Sequence, residues 1–205
     1  IYSGVDTDSF HPRLKQEHRQ TARARFGLAD TVPLFLFVGS GFERKGLATL
    51  LAALAQAPRD AHLWVIGKDQ RRRHFERRAE ALGLGARVRF FGPQRDVKPF
   101  YGAADALILP TLYDPFPNVA LEAMASGLPL VTSSKSGAAE LVTAGQNGYV
   151  CDALDTPALA ALLAELHSPA RCRELGENAR KTVEPLTLYA MGKALLAFYH
   201  AQAPR

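Results

Sequence analysis

The sequence predicts an α/β domain, a Rossmann-like parallel sheet covered by helices on both faces. Three observations carry that expectation. Short, continuously apolar runs recur along the chain, and Leu34-Phe35-Leu36-Phe37-Val38 is the plainest of them. A strand without polar alternation is one buried on both faces, which is the condition of a parallel strand. Each run is followed by a turn and then by a segment of helical periodicity, the rhythm of βαβ units joined by right-handed crossovers. Finally, 205 residues of which 47% are hydrophobic are enough for one full core.

Taken in order, Val5 to Pro12 reads as an extended entry segment, and 14–26, rich in Lys, Gln and Arg, as a polar helix stopped by Gly27. The strand at 34–38 then runs into Gly39-Ser40-Gly41-Phe42-Glu43-Arg44-Lys45-Gly46 and a helix over 47–56. A glycine-rich turn between strand and helix lets backbone approach a phosphate, with Arg44 and Lys45 placed to add charge. The turn matches neither G-x-G-x-x-G nor the P-loop, because Gly46 is followed by Leu47. Further units follow: strand 62–66, turn Gly67-Lys68-Asp69 and helix 72–82; strand 88–91, turn Gly92-Pro93 and helix 96–103; strand 106–109. Ligands of such sheets bind at the carboxyl ends of the strands. Gly39, Gly67, Gly92 and Tyr113 all fall just beyond strand ends and are expected to line one crevice. Beyond lie strands at 129–132 and 148–151, a short helix at 138–142, and helices over 156–166, 170–182 and 186–200. The last carries an apolar stripe, Leu188, Met191, Leu195, Phe198 and Tyr199, that must cover something.

The chemistry concentrates in 109–131, LPTLYDPFPNVALEAMASGLPLV. A proline-punctuated loop carrying Asp114 leads into a helix over 118–126 carrying Glu122. The spacing puts one carboxylate before the helix and one inside its first turns. Between them, the unpaired N–H groups and positive dipole end of the helix offer a place for a phosphate. An anion site flanked by two hydroxyl acceptors suits a sugar nucleotide. Taken alone, Glu122 is equally an acid placed favourably against the helix dipole, and Asp114 a turn former beside Pro115.

Composition removes several classes. No apolar run approaches the ~18 to 20 residues that span a bilayer. Cys151 and Cys172 have no C-x-x-C spacing and the histidines form no ligand cluster, so ordinary reduced thiols are expected, and no metal. The net charge of +5 includes Arg71-Arg72-Arg73 and Arg77-Arg78, interleaved with His74, Phe75, Ala79 and Leu82 as on a solvated helix face. Peripheral contact with an anionic membrane is the other reading of that run. No nucleic-acid recognition pattern is present. The opening, IYSGVDTDSFHP, lacks an initiator Met and reads as the middle of a longer protein.

Taken together, Gly4-Val5-Asp6, Gly39 to Gly46, Val65-Ile66-Gly67-Lys68-Asp69, Arg95-Asp96-Val97 and Leu121 to Pro129 make a specific set. The chain resembles the C-terminal, donor-binding half of retaining GT-B glycosyltransferases of family GT4, and most of all the bacterial lipopolysaccharide core glucosyltransferases. The resemblance implies a donor-binding domain over 1–205, an N-terminal acceptor domain outside this chain, and cytoplasmic work on a nucleotide sugar, UDP-glucose, without a metal. The acceptor would be a lipopolysaccharide core or similar glycan, and the chain alone is expected to be inactive. By position, Arg44 and Lys45 would grip the diphosphate and steady the departing charge. Glu122 would accept from the ribose hydroxyls. Asp114 would contact the sugar, with backbone N–H groups near Phe116, Asn118 and Val119 orienting it, and the Gly92 to Val97 loop would hold the base. Two positions depart from the family: Asp114 stands where Glu is usual, and Pro117, which has no N–H to donate, where many members have Gly.

Overall fold

The computed structural model describes residues 1–202. Six parallel strands, β1 (Leu34–Val38), β2 (His62–Ile66), β3 (Val88–Gly92), β4 (Ala106–Leu109), β5 (Leu130–Ser133) and β6 (Gly148–Cys151), form one sheet in the order β3-β2-β1-β4-β5-β6. The chain winds outward from β1 to one edge, then returns to lay β4 on the other side of β1. The order therefore reverses between β1 and β4, and the carboxyl ends of strands at such a reversal are where ligands of open α/β sheets bind.

Helices α1 (Arg13–Arg25), α2 (Leu47–Gln56), α3 (Arg72–Ala81), α4 (Lys98–Ala103), α5 (Asn118–Ala125), α6 (Thr156–Glu165) and α7 (Pro169–Val183) cover the sheet, and α8 (Leu188–Gln202) ends the described chain. Successive strand residues point to opposite faces. Phe35 and Phe37 accordingly join a core with Leu50, Leu54, Phe75 and Leu163, under α2, α3 and α6. Leu34 and Leu36 join the other with Trp64, Tyr101, Leu121 and Met124, under α4 and α5. Every residue of β1 is buried, as its unbroken apolar run requires.

Several boundaries differ from the sequence expectation, for local reasons. The helix expected from 96 starts at Lys98, because Asp96 Oδ1 accepts from the Lys98 N–H at 3.1 Å and turns the chain first. The segment at 138–142 is a 3-10 helix over Gly137–Leu141. Gly92 is the last residue of β3, not a turn residue beyond it, and its carbonyl accepts from Gly67 N–H at 3.0 Å. Leu82, expected on the apolar face of α3, is exposed: the helix stops at Ala81, Gly83 turns the chain at φ +72°, and Leu84 takes the buried place. The arginine run is otherwise a solvated face, with Phe75 and Ala79 inward and Arg73, Arg77 and Arg78 outward. The apolar stripe of α8 is covered only in part within the described chain: Met191 and Leu195 are half-buried, and Met191 Sδ accepts from Gly4 N–H at 3.2 Å, whereas Leu188, Phe198 and Tyr199 are exposed.

Candidate functional site

The carboxyl ends of the strands at the β1–β4 switch point are shaped first by backbone. Gly67, at φ +138°, follows β2, and a Cβ there would sit 1.9 Å from the Gly39 carbonyl oxygen. Gly46, at φ +78°, meets the Pro110 carbonyl oxygen in the same way. Any side chain at either place would push apart the turns that end β1, β2 and β4. Within the first turn, Gly41 O accepts from the Lys45 N–H at 3.0 Å, and Ser40 Oγ accepts from Lys68 N–H at 3.3 Å. Asp69 closes the neighbouring turn by accepting from the N–H groups of Phe42 and Arg71, both at 2.6 Å.

Tight turns aim the two cations. Lys45 lies back over Gly39, where a Cβ would come within 3.2 to 3.4 Å of its side-chain carbons, and its ammonium donates to Asp114 Oδ2. Arg44 reaches the same oxygen at 3.3 Å and donates to the Tyr113 carbonyl at 2.8 Å. The Arg44 carbonyl in turn accepts from Leu112 N–H at 2.8 Å and Thr111 Oγ at 3.0 Å, which ties the turn after β1 to the loop after β4. Lys45 and Asp114 are nearly buried, at 7% exposure each, whereas the Arg44 side chain is half exposed. The structure thus joins Asp114 to the adjacent pair Arg44 and Lys45, which lie 70 and 69 positions from it in the sequence.

Asp114 is fixed from its other side as well. Its N–H donates to the Lys135 carbonyl at 3.2 Å, its carbonyl accepts from Gly137 N–H at 2.9 Å, and its backbone pairs with Ser136. Ser136 Oγ is the one buried side-chain polar atom without a partner among the described residues. Helix α5 opens from Pro117 with no side-chain cap, so the N–H groups of its first turn have no capping side chain, and that of Ala120 donates to the Pro117 carbonyl at 2.9 Å. Phe116 packs against Tyr2 with ring centroids 5.7 Å apart, Asn118 is exposed, and Val119 is half-buried against the core.

Glu122 stands one turn further into α5, apart from the cation cluster, and its side chain has a different partner. The Tyr101 hydroxyl donates to Glu122 Oε2 at 2.8 Å. Burial pushes the Glu122 carboxyl above its ordinary value, and the Tyr101 hydrogen bond pulls the other way. Val97, as the residue preceding α4, is half-buried. Sequence reasoning missed Tyr101, because a tyrosine on an apolar helix face reads as core, and missed the closing role of Asp69. The two cysteines are free thiols pushed up by burial, Cys151 to about 11 and Cys172 to about 12, so neither is a nucleophile near neutrality.

Two cations converging on one carboxylate at a switch point can hold an anion. The loop that carries this carboxylate leads into α5, which opens without a side-chain cap and carries a second carboxylate, Glu122, further along. Known proteins bear on what this arrangement serves. The sequence profile described as "Glycosyl transferases group 1" matches residues 18–182. The chain is 32% identical over 195 residues to the lipopolysaccharide glucosyltransferase WaaG of Escherichia coli K12, covering 92% of this chain and 52% of WaaG. It superposes on sucrose-phosphate synthase from Thermosynechococcus elongatus with a TM-score of 0.84 and 33% identity, over 98% of this chain and 52% of that one. Anabaena Alr3699/HepE, solved with UDP-glucose, gives a TM-score of 0.87 over 98% of this chain and 57% of that one; at 23% identity the likeness shows the fold alone. The chain spans about half the length of the curated relatives it matches. It has the Rossmann-like fold expected of the C-terminal half of a GT-B glycosyltransferase, and it belongs to the glycosyl transferases group 1 family.

Proposed function

We propose that this chain is the nucleotide-sugar donor domain of a retaining, GT4-like hexosyltransferase, and that its donor is UDP-glucose. The observation that carries the reading is the convergence of Lys45 and Arg44 on the mouth of the β1–β4 crevice, where a diphosphate would find two fixed cations and the N-terminal N–H groups of α5. Glu122 accepts from the ribose hydroxyls, and the Gly92 to Val97 segment holds the base. Asp114 meets the hexose, helped by Ser136, whose orphaned hydroxyl finds its partner in the donor. UDP-glucose bound to HepE supports the nucleotide and the sugar, and the likeness to WaaG supports a lipopolysaccharide core acceptor.

In transfer, the bond between the anomeric carbon and the β-phosphate oxygen breaks while the acceptor hydroxyl adds on the same face, and its proton passes to the departing phosphate. Lys45 and Arg44 stabilise the charge that builds on that phosphate. They are covalently fixed cations, so the reading calls for no metal. An N-terminal domain outside this chain binds the acceptor and covers the exposed Leu188, Tyr189, Leu196, Phe198 and Tyr199 of α8. Arg73, Arg77 and Arg78 rest on the anionic inner face of the cytoplasmic membrane.

Calorimetric titration of the chain with UDP, ADP, GDP and NADH tests the donor site. Preference for UDP, weakened by both Lys45→Ala and Glu122→Gln, is the expected result. A preference for NADH, or UDP binding indifferent to both substitutions, would send the reading elsewhere.

A further inference from the structure

Glu122 differs from the other acids held inside this domain. Asp105 and Asp114 are each held by an arginine and a second cation. No cation lies within ion-pair distance of Glu122 among the described residues; its side chain is held instead by one neutral donor, the Tyr101 hydroxyl, at 2.8 Å. That tyrosine is 1% exposed, and its ring is braced edge-on by Phe10 with centroids 5.7 Å apart. Among the described residues its one other acceptor is the Val119 carbonyl, at 3.4 Å against 2.8 Å to Glu122 Oε2, so its single proton belongs to Glu122. Burial raises the Tyr101 phenol well above its ordinary value, which keeps that proton in place throughout the neutral range.

A neutral donor has a consequence that a cation would not. An arginine on Glu122 would engage both oxygens and compete with any hydroxyl for the carboxylate. A single O–H engages Oε2, fixes the side chain and leaves Oε1 its full acceptor capacity. We infer that Tyr101 is a positioning residue for ribose recognition: its hydroxyl holds Glu122 so that Oε1 accepts from the ribose hydroxyls of the donor nucleotide. The inference rests on the ribose role given to Glu122 above. It adds a residue that never touches the nucleotide and yet sets how strongly the site distinguishes a ribose from a sugar without hydroxyls. In the same arrangement the phenol opposes protonation of a carboxyl that burial pushes upward.

The test compares UDP with 2′,3′-dideoxy-UDP by calorimetric titration of the chain. The wild type is expected to prefer UDP by about 10- to 100-fold, the range of one or two hydrogen bonds to a charged acceptor. Tyr101→Phe keeps the ring and its packing; it should weaken UDP about 10-fold, leave the dideoxy nucleotide nearly unchanged and so compress the ratio. A second variant, Glu122→Asp, keeps the charge but withdraws the carboxylate from the 2.8 Å contact, and should compress the ratio as far. Melting curves for both verify folding. An unchanged ratio in a folded Tyr101→Phe overturns the inference. So does full discrimination in Glu122→Asp, the deciding variant if Tyr101→Phe does not fold. A wild type that binds both nucleotides equally, or neither, instead removes the ribose role of Glu122, and the inference falls with it.

Discussion

Asp105 and Asp114 bracket one strand, β4, and are nearly equally buried, at 5% and 7% exposure. Asp105 is held by two arginines with the Lys15 ammonium further off at 3.9 Å, and Asp114 by an arginine and a lysine, yet the two ends of the strand use the same chemistry for opposite purposes. At the amino end, Arg19 binds Asp105 Oδ1 at 2.8 Å, while Oδ2 takes Arg23 at 2.7 Å and Leu34 N–H at 2.9 Å. Arg23 spends its remaining donors on the carbonyls of Ala103, Ala29, Asp30 and Val32 and is 1% exposed. That network is closed: every group is occupied, and what it does is lock α1 to the starts of β1 and β4. At the carboxyl end, Arg44 and Lys45 both engage the same oxygen, Oδ2, and Arg44 stays half exposed. Charge there is held in reserve. The difference teaches that a buried ion cluster marks a binding site only where its donors remain incompletely used and face a crevice.

The sharpest way to break that comparison is at the closed end. Arg23→Met should destabilise the domain by about 3 to 5 kcal/mol, the cost of leaving a buried carboxylate short of its partner. Urea denaturation measures it, and UDP affinity in the folded fraction should not move. A loss below about 1 kcal/mol would mean that Asp105 reaches water and the network is not closed.

At the open end the expected effects reverse in kind. Lys45→Ala should weaken UDP about 10- to 100-fold, as removal of one charge-assisted contact to phosphate does, with a smaller loss of stability because Arg44 still faces Asp114. Asp114→Asn sharpens the point further. A diphosphate entering the crevice must compete with the Asp114 carboxylate for the Lys45 ammonium, so the amide should bind UDP as well as the wild type or a few-fold more tightly. UDP-glucose should lose that advantage, since the sugar loses its acceptor. In the full-length enzyme, residual turnover with retained stereochemistry in the same variant would exclude an obligatory covalent intermediate on Asp114. Titration with both nucleotides and analysis of the product anomer are the measurements.

The contrast also explains what was legible in the sequence. The sheet, its parallel sense and the helices between strands were written in unbroken apolar runs and turn residues, and each strand begins where expected to within one residue. Arg44, Lys45 and Asp114 stood out as charges in turns punctuated by glycine or proline just beyond strand ends, and Glu122 as the one charge in the helix that follows the second of those turns. Asp105, Arg23 and Tyr101 did not. Asp105 and Tyr101 sit within or beside apolar segments and Arg23 is one of several arginines in a polar helix, and their partners lie 82 positions away for Arg23 with Asp105 and 21 for Tyr101 with Glu122. No local pattern encodes such a pairing. Helix α8 was legible as an apolar stripe but not as one left largely exposed, because the surface that meets it is not written in its own residues.

The smallest effect concerns Glu122 and returns to the cost of keeping a site open. Burial raises its carboxyl above the ordinary value, so between that value and the raised one the folded chain binds more proton than the unfolded chain. Stability therefore falls as pH rises through that window, and above it the charged carboxylate is a constant burden. Glu122→Gln removes the titration. The variant should equal or slightly exceed the wild type in stability at neutral pH, and the downward slope just above the carboxylate range should vanish, as thermal melts across pH would show. UDP affinity should fall in the same protein. Stability and binding moving in opposite directions is what would separate Glu122 from the Asp105 network, where Arg23→Met is expected to lower stability and leave binding alone. A Glu122→Gln variant that lost stability at neutral pH would place Glu122 with the closed network instead.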